Sequence, residues 1–489
     1  ALQAVGVVES LRGQVVQPDL QLSWFASVQG FYATLIDILM RLHERAPGAG
    51  HDARALQASE RARARGLLDM LSERQDNLTG EVDPQLLERE RDLRRVLNAQ
   101  DQRLRNLLAG SSGTDEVAAA RRAVDEAVRD LHQLRGEIRA RSPRYAELTQ
   151  AQSLDIGAVQ AQLDADTLVL EYWLGTERSY VWVVSRDALR SRVLPAADVI
   201  DEASRRYLAA LAARPPAQAT VSSAERAAAQ VRMRQLAAEL GRILPEEIFG
   251  ELAHRRLIVV GHGAIEYLPL AVLSSPSGAD DGAMLVEERE IVYLPSLSVL
   301  AAMRTPSPGD APDKTIAVFA DPVFSADDPR VARRTPGRSP PPVQQLASAE
   351  DIEDLQRSST EAGLSALRRL RFSRLEAEAI AALVPASQRF EAIDFRASRA
   401  TVLDGGLEQY RIVHFATHGL MNDTHPELSG LVLSAVDEEG RPLDALLRMH
   451  DIFGLSLRAE LVVLSACQTA LGREIDGEGL VGLTRGFMY

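Results

Sequence analysis

Three short apolar runs in the last third of the chain constrain its fold most: IAVF (316–319), RIVHF (411–415) and LVVLS (461–465). Near-continuous runs of this length, without polar alternation, belong to strands buried on both faces. They predict the interior of a mostly parallel sheet flanked by helices. In such sheets ligands gather beyond the C-terminal strand ends, so the residues that close these runs are where chemistry is to be sought.

The surrounding segments alternate as that architecture requires. KTIAVFADPVF (314–324) reads as a strand entering a polar break, and LRFSRLEAEAIAALVP (370–385) as a helix stopped by its proline. A strand at 390–395, a helix at about 400–409 and strands RIVHFATHG (411–419) and LSGLVLSAV (428–436) follow. LLRMHDIFGLSL (446–457) reads as a broken helix, AELVVLSAC (459–467) as a strand and GEGLVGLTRGFMY (477–489) as a helix. Between them, 327–359 clusters Pro, Arg and Ser, and reads as a surface insertion open to proteolysis.

Upstream, the first third is helical. WFASVQGFYATLIDILMRLHERA (24–46) and ARALQASERARARGLLDMLSERQ (53–75) carry apolar residues at helical spacing around a Gly/Pro break. Two charged segments, 81–108 and 114–141, read as an antiparallel helical hairpin with solvated outer faces. From residue 167 the period changes to strand-like, and 160–303 reads as an α/β unit. The expected domains are therefore 1–78, a terminal helical-repeat segment; 79–159, a long helical hairpin; 160–303, an α/β half; and 304–489, a second α/β half.

A chain of 489 residues, 46% apolar, can build sizeable cores. Its net charge of -14 argues against a nucleic-acid backbone as main partner. One cysteine, Cys467, excludes an intrachain disulfide. No run of 18 apolar residues occurs, so no membrane span is expected. The N-terminal residues show no signal core, although the chain opens at Ala1 rather than methionine; the expected setting is reducing and cytoplasmic.

Two strand ends carry reactive groups, His418-Gly419 and Cys467, 49 positions apart, which is room for a parallel crossover. On adjacent strands their ends would lie about 5 Å apart. An imidazole could then take the proton of the thiol and later protonate a leaving amine. The N–H groups of Gly419 and Cys467 could receive a developing oxyanion. The competing reading is a buried cysteine that only fills space. His414 and His418 form an H-x3-H pattern, but four residues along a strand span roughly 13 Å, so no metal site and no cofactor are expected. His414 reads as a buried, hydrogen-bonded histidine, with a supporting role to His418 as the alternative, and His262 as a structural or binding residue. Asp321 ends IAVFA and is a candidate substrate-binding carboxylate; a turn or N-cap role before Pro322 competes with it.

VHFATHG (413–419), LSACQTALG (464–472) and GEGLVGLTRGFMY together resemble the CHAT family, caspase-like peptidase domains often fused to tetratricopeptide repeats. IVVGHGAIEYLPLAVLSSP and LVEEREIVYLPSLSVL resemble its upstream motifs, and ALQASERARARGLLDMLSE a last repeat helix. The resemblance implies His418 as general base and Cys467 as nucleophile of a cysteine endopeptidase, and 160–303 as an inactive, pseudo-caspase half. It raises Asp321 as a holder of basic P1 side chains, and implies further strands after Tyr489. The expected partners are a protein substrate and a protein activator met by the helical region. A catalytically silent scaffold or adaptor is the alternative, and acyl transfer or amide hydrolysis of a small molecule by the same pair a third reading.

Overall fold

The computed structural model describes residues 18–63, 84–109, 114–141, 155–212, 222–244, 256–273, 284–304, 312–331, 367–404, 406–420, 429–455, 457–466, 472–475 and 479–488. Cys467 and the 332–359 part of the expected insertion lie outside them. The chain divides into two compact units. One takes in 1–72, 146–306 and 474–480, the other 73–145, 307–473 and 481–489.

Four helices open the described chain: α1 (Pro18–Arg45), α2 (His51–Arg61), α3 (Pro84–Ala109) and α4 (Thr114–Arg141). Gly50 lets the chain turn between α1 and α2, with a left-handed φ of 69°. In the second unit α3 and α4 pack as an antiparallel pair: Leu86 meets Leu134, and further along Leu97 meets Val124 and Val128.

The first unit is built on a five-stranded sheet, β1 (Thr167–Trp173), β2 (Ser179–Val184), β3 (Leu189–Leu194), β4 (Arg256–Val260) and β5 (Glu290–Leu294), in the order β3-β2-β1-β4-β5. β1, β2 and β3 pair antiparallel, while β4 runs parallel to both β1 and β5. Every residue of β1 is buried, so its side chains sort by the two-residue period alone. Leu168, Leu170 and Tyr172 face a core shared with α5 (Ala197–Ala212) and α6 (Ser223–Leu240). Val169 and Trp173 face Ile36, Ala55 and Leu56 of α1 and α2. Each large side chain buried this way contributes about 1.5–3 kcal/mol.

Glu171 sits on that second face, fully buried, with Arg63 Nε 3.5 Å from Oε1. The Arg63 guanidinium also donates to the carbonyls of Gly261 and Tyr172. Nearby, Glu60 accepts from the backbone N–H groups of Leu297 (2.9 Å) and Ser298 (2.8 Å), which open α7 (Leu297–Arg304). A carboxylate belongs at a helix N-terminus, where unpaired N–H groups and the dipole favour negative charge.

The second unit holds β6 (Lys314–Ala320), β7 (Arg389–Ile393), β8 (Tyr410–Ala416) and β12 (Leu461–Ser465) in a wholly parallel sheet ordered β12-β8-β6-β7. Ala317 and Phe319 of β6 face one core with Val413 and Phe415 of β8. Ile316, Val318 and Ala320 face the other, against Ala377 of α8 (Arg371–Ala382). A separate antiparallel sheet joins β9 (His418–Leu420), β10 (Gly430–Val432) and β11 (Leu446–Arg448).

Several expected elements change. The sheet built on IAVF, RIVHF and LVVLS is parallel as expected, but the described sheets as a set are mixed, with antiparallel pairs among β1–β3 and among β9–β11. RIVHFATHG breaks at Thr417 into β8 and β9, because β9 leaves the parallel sheet to pair with β10. Leu446–Arg448, expected as helix, is a strand, since β10 offers it a partner and the helix starts only at Met449. GEGLVGL is likewise strand over Gly479–Gly482 (β14, after β13 at Gly472–Ile475), and the helix is shortened to Leu483–Met488.

Burial, then the charge of Glu60, pushes the Glu171 carboxyl well above its ordinary pKa, against the pull of Arg63. A raised acid binds more protons folded than unfolded, so its cost to stability grows as pH rises above the unfolded value of about 4.3. Glu171→Gln is therefore expected to unfold at higher urea than wild type, by a margin that widens from pH 5 to pH 8. A margin independent of pH would show that the carboxyl is ionised in the native protein.

Candidate active site at the C-terminal edge of the parallel sheet

The strand ends of the second unit form one row. Ser465 of β12 pairs with Ala416 of β8, Ala416 with Ala320 of β6, and Ala320 with Ile393 of β7. One residue further along the chain, that row becomes Ala466, Thr417, Asp321 and Asp394. The β12–β8 pairing keeps a constant offset of 49 positions. The same offset separates Cys467 from His418, each two residues beyond the matched pair Ser465 and Ala416.

Thr417 anchors the exit from β8: it is buried and its hydroxyl donates to the Val432 carbonyl. His418 follows in β9, level with Val432, and Gly419 is level with Leu431. The His418 ring is half-buried and lies 5.2 Å from the Phe324 ring, tilted by 54°. Its Nε2 is 2.8 Å from the Arg368 carbonyl oxygen. A carbonyl only accepts, so Nε2 carries the hydrogen; in the neutral ring that leaves the lone pair on Nδ1. His414, one strand period away from Ala416 on β8, faces α8 and meets Glu376 Oε1 at 3.0 Å.

Asp321 is fully buried and has a left-handed φ of 48°. Its carboxylate is already engaged by this chain's own cations. Arg369 forks onto it, Nε to Oδ1 at 2.8 Å and Nη2 to Oδ2 at 2.6 Å. Arg374 Nε reaches Oδ2 at 2.9 Å, and Arg330 Nη1 stands 3.2 Å from Oδ1. Arg330 also donates to Asp394 (2.6 Å) and Asp328 (2.7 Å), and Arg374 pairs with Asp394. Among the described residues Asp321, Asp328 and Asp394 thus interlock with Arg330, Arg369 and Arg374 along the sheet edge, and Glu378 stands 3.8 Å from Arg374.

Sequence reading placed Asp321 at this edge and missed its partners. Arg369 and Arg374 lie 48 and 53 positions away, across the insertion. The arginine-rich stretch RRLRFSR (368–374) was the available signal. The Arg368 carbonyl, a backbone group, had none. Among the described residues no three His, Cys, Asp or Glu side chains converge as a metal ion would require. A cleft of about 580 Å³ lined by Gln160, Gln162, Asp164, Arg186 and Arg304 belongs to the first unit and contains none of these groups.

Burial alone would raise the Asp394 pKa, but hydrogen bonds from Arg374 and Arg330 outweigh it and hold the carboxyl below the usual range. A depressed carboxyl stabilises the fold above the unfolded pKa, and that gain is lost as pH falls through the native value. Asp394→Asn should lower the urea midpoint at pH 7. The gap from wild type should narrow once pH drops below about 4, and pH-resolved urea titrations of both proteins check it.

A profile described as the CHAT domain matches residues 223–489. Comparison with curated proteins gives no match. The matched span takes in β4, β5, the whole parallel sheet, His418, Gly419 and Cys467. With more than half its length matched, the chain belongs to the CHAT family, within the caspase-like peptidase clan.

Proposed function

We propose that the chain is a cysteine endopeptidase that cuts a protein partner, with His418 as general base and Cys467 as nucleophile. The observation that carries this reading is the in-register parallel pairing of β8 and β12, whose offset is that of the two residues. Family membership supports the same assignment.

In the proposed reaction the neutral His418 ring takes the thiol proton of Cys467, and the thiolate adds to the substrate carbonyl. Nδ1 is the nitrogen with the free lone pair, because Nε2–H is held by the Arg368 carbonyl. The N–H groups of Gly419 and Cys467 are proposed to receive the oxyanion. Collapse expels the amine, which regains a proton from the imidazolium, and water then releases the acyl group by the reverse sequence. No cofactor enters this scheme. The helical region is proposed to receive a protein activator.

Preference for a basic P1 residue is the finest part of the proposal. Asp321 could receive a substrate guanidinium only by exchanging Arg369 for it, since its carboxylate is fully buried under three arginines. The scaffold reading shares the fold but needs no reactive thiol.

Cys467 is the sole cysteine, so labelling by an electrophilic peptide reports on it alone. His418→Ala should slow that labelling by about 10²–10⁴-fold, the usual contribution of a general base; equal rates in the two proteins would return the chain to the scaffold reading. Digestion of a peptide library by the wild type, against a Cys467→Ala control, is expected to show cleavage that depends on Cys467. A cleavage pattern without Lys or Arg at P1 would remove Asp321 from substrate binding.

A further inference from the structure

The Arg368 carbonyl belongs to no helix or sheet, so no backbone ladder fixes where it points. Its neighbours do. Leu367 packs in the apolar cluster of Phe324, Val432 and Leu446, and Phe324 also touches the His418 ring. On the other side Arg369 is forked onto Asp321 at 2.8 and 2.6 Å. Ser373 ties the same stretch down twice, accepting from the Asp321 N–H at 3.1 Å and donating to the Leu370 carbonyl at 2.7 Å.

We propose that Asp321 and Arg369 are a positioning pair for His418: their two-bond fork holds the Leu367–Leu370 stretch so that the Arg368 carbonyl stays on Nε2. A fork fixes direction as well as distance, because the planar guanidinium and carboxylate meet through two parallel hydrogen bonds. The residue next to it is then held in orientation. One carbonyl on Nε2 selects the tautomer of the ring, and with it the nitrogen left to take a proton. Asp321 can serve here because it is itself immobile, buried at the end of β6 with Arg330 and Arg374 completing its coordination. This role and the P1 contact exclude each other, because a substrate guanidinium could reach the Asp321 carboxylate only by breaking the fork.

The catalytic consequence rests on His418 being the base of the proposed peptidase; the tautomer itself does not. The test therefore has two readouts, both on the full chain. Histidine-selective ¹⁵N labelling reports the tautomer of His418, its signal assigned by loss in His418→Gln. Iodoacetamide modification reports the reactivity of Cys467. Arg369→Ala is the informative variant, since Arg330 and Arg374 still neutralise Asp321 and the fold should survive. Arg374→Ala is the control: it removes a contact to Asp321 and one to Asp394 but does not adjoin Arg368.

Wild type and Arg374→Ala should show a single Nε2–H tautomer. Arg369→Ala should show a mixture, with Cys467 modification slowed about tenfold, the lower end of what losing a ring-orienting partner costs in metal-bound histidines. Arg369→Lys, which keeps the charge but not the fork, should restore neither in full. The proposal is overturned if Arg369→Ala keeps the wild-type tautomer, or if Arg374→Ala disturbs it equally. It is also overturned if Arg369→Ala speeds cleavage of arginine-containing peptides, because that would give the freed carboxylate to substrate. A wild-type thiol no more reactive than free cysteine would instead sink the peptidase reading, and the tautomer signature would still decide the fate of the pair.

Discussion

The pairing of β8 with β12 is the constraint on which the site depends. Hydrogen-bonded strands lie about 4.8 Å apart whatever their side chains, so the ladder sets how near two strand tips can come before any reactive group is considered. Register then decides which residues share a level. Side chains alternate faces, and a slip of one residue would turn the whole of β8 inside out. Phe415 would lose its stacking on Phe319, now 5.1 Å between ring centres, and His414 its bond to Glu376. Two cores and one polar contact therefore vote for the same alignment, and the placing of the strand ends follows from packing well away from them.

The sheet edge carries a cost that the arginines offset. Asp321 and Asp394 both have left-handed φ, 48° and 57°, a conformation that aspartate tolerates better than most residues but that still disfavours any side chain. Both begin the turn out of a parallel strand, where the chain must change direction at once. Burying the Asp321 carboxylate there without partners would cost several kcal/mol. Arg330, Arg369 and Arg374 remove that penalty and join three separate stretches of chain in doing so. The network is poor evidence of extra stability, since such pairs roughly repay their own desolvation. It is better evidence that this corner adopts one arrangement.

How much of this was readable beforehand depends on the range of the force responsible. IAVF, RIVHF and LVVLS announced β6, β8 and β12 because burial on both faces leaves a local mark, an apolar run of strand length. LLRMHDI contains good helix formers and gave no hint of β11, whose strand form comes from pairing with β10. GLVGL misled in the same way. His418 and Cys467 were legible as reactive types at strand ends, and the common offset of 49 in the β12–β8 ladder was not, since register is a relation between segments. Asp321 was found, its role left open between substrate and turn, because partners 48 and 53 positions distant cannot be paired from sequence. The Arg368 carbonyl could not have been found at all: every residue has one.

Strand ends in the two units show why residue type alone does not assign chemistry. In the first unit β4, flanked by parallel partners, also ends in glycine and histidine, Gly261 and His262. There the ring lies flat on Trp173, 4.6 Å between centres, and its Nδ1 accepts from the Leu174 N–H at 3.1 Å. Burial, helped by the Arg63 charge, lowers its pKa to about 3. Such a ring is neutral at any ordinary pH, has its lone pair already spent on the backbone, and can neither accept a proton from a substrate nor return one. His418 differs on the point that matters: its held nitrogen is the one with the hydrogen, and the lone pair is left on the other. These two histidines in matching sequence contexts are thus separated by which of their nitrogens the described contacts already use.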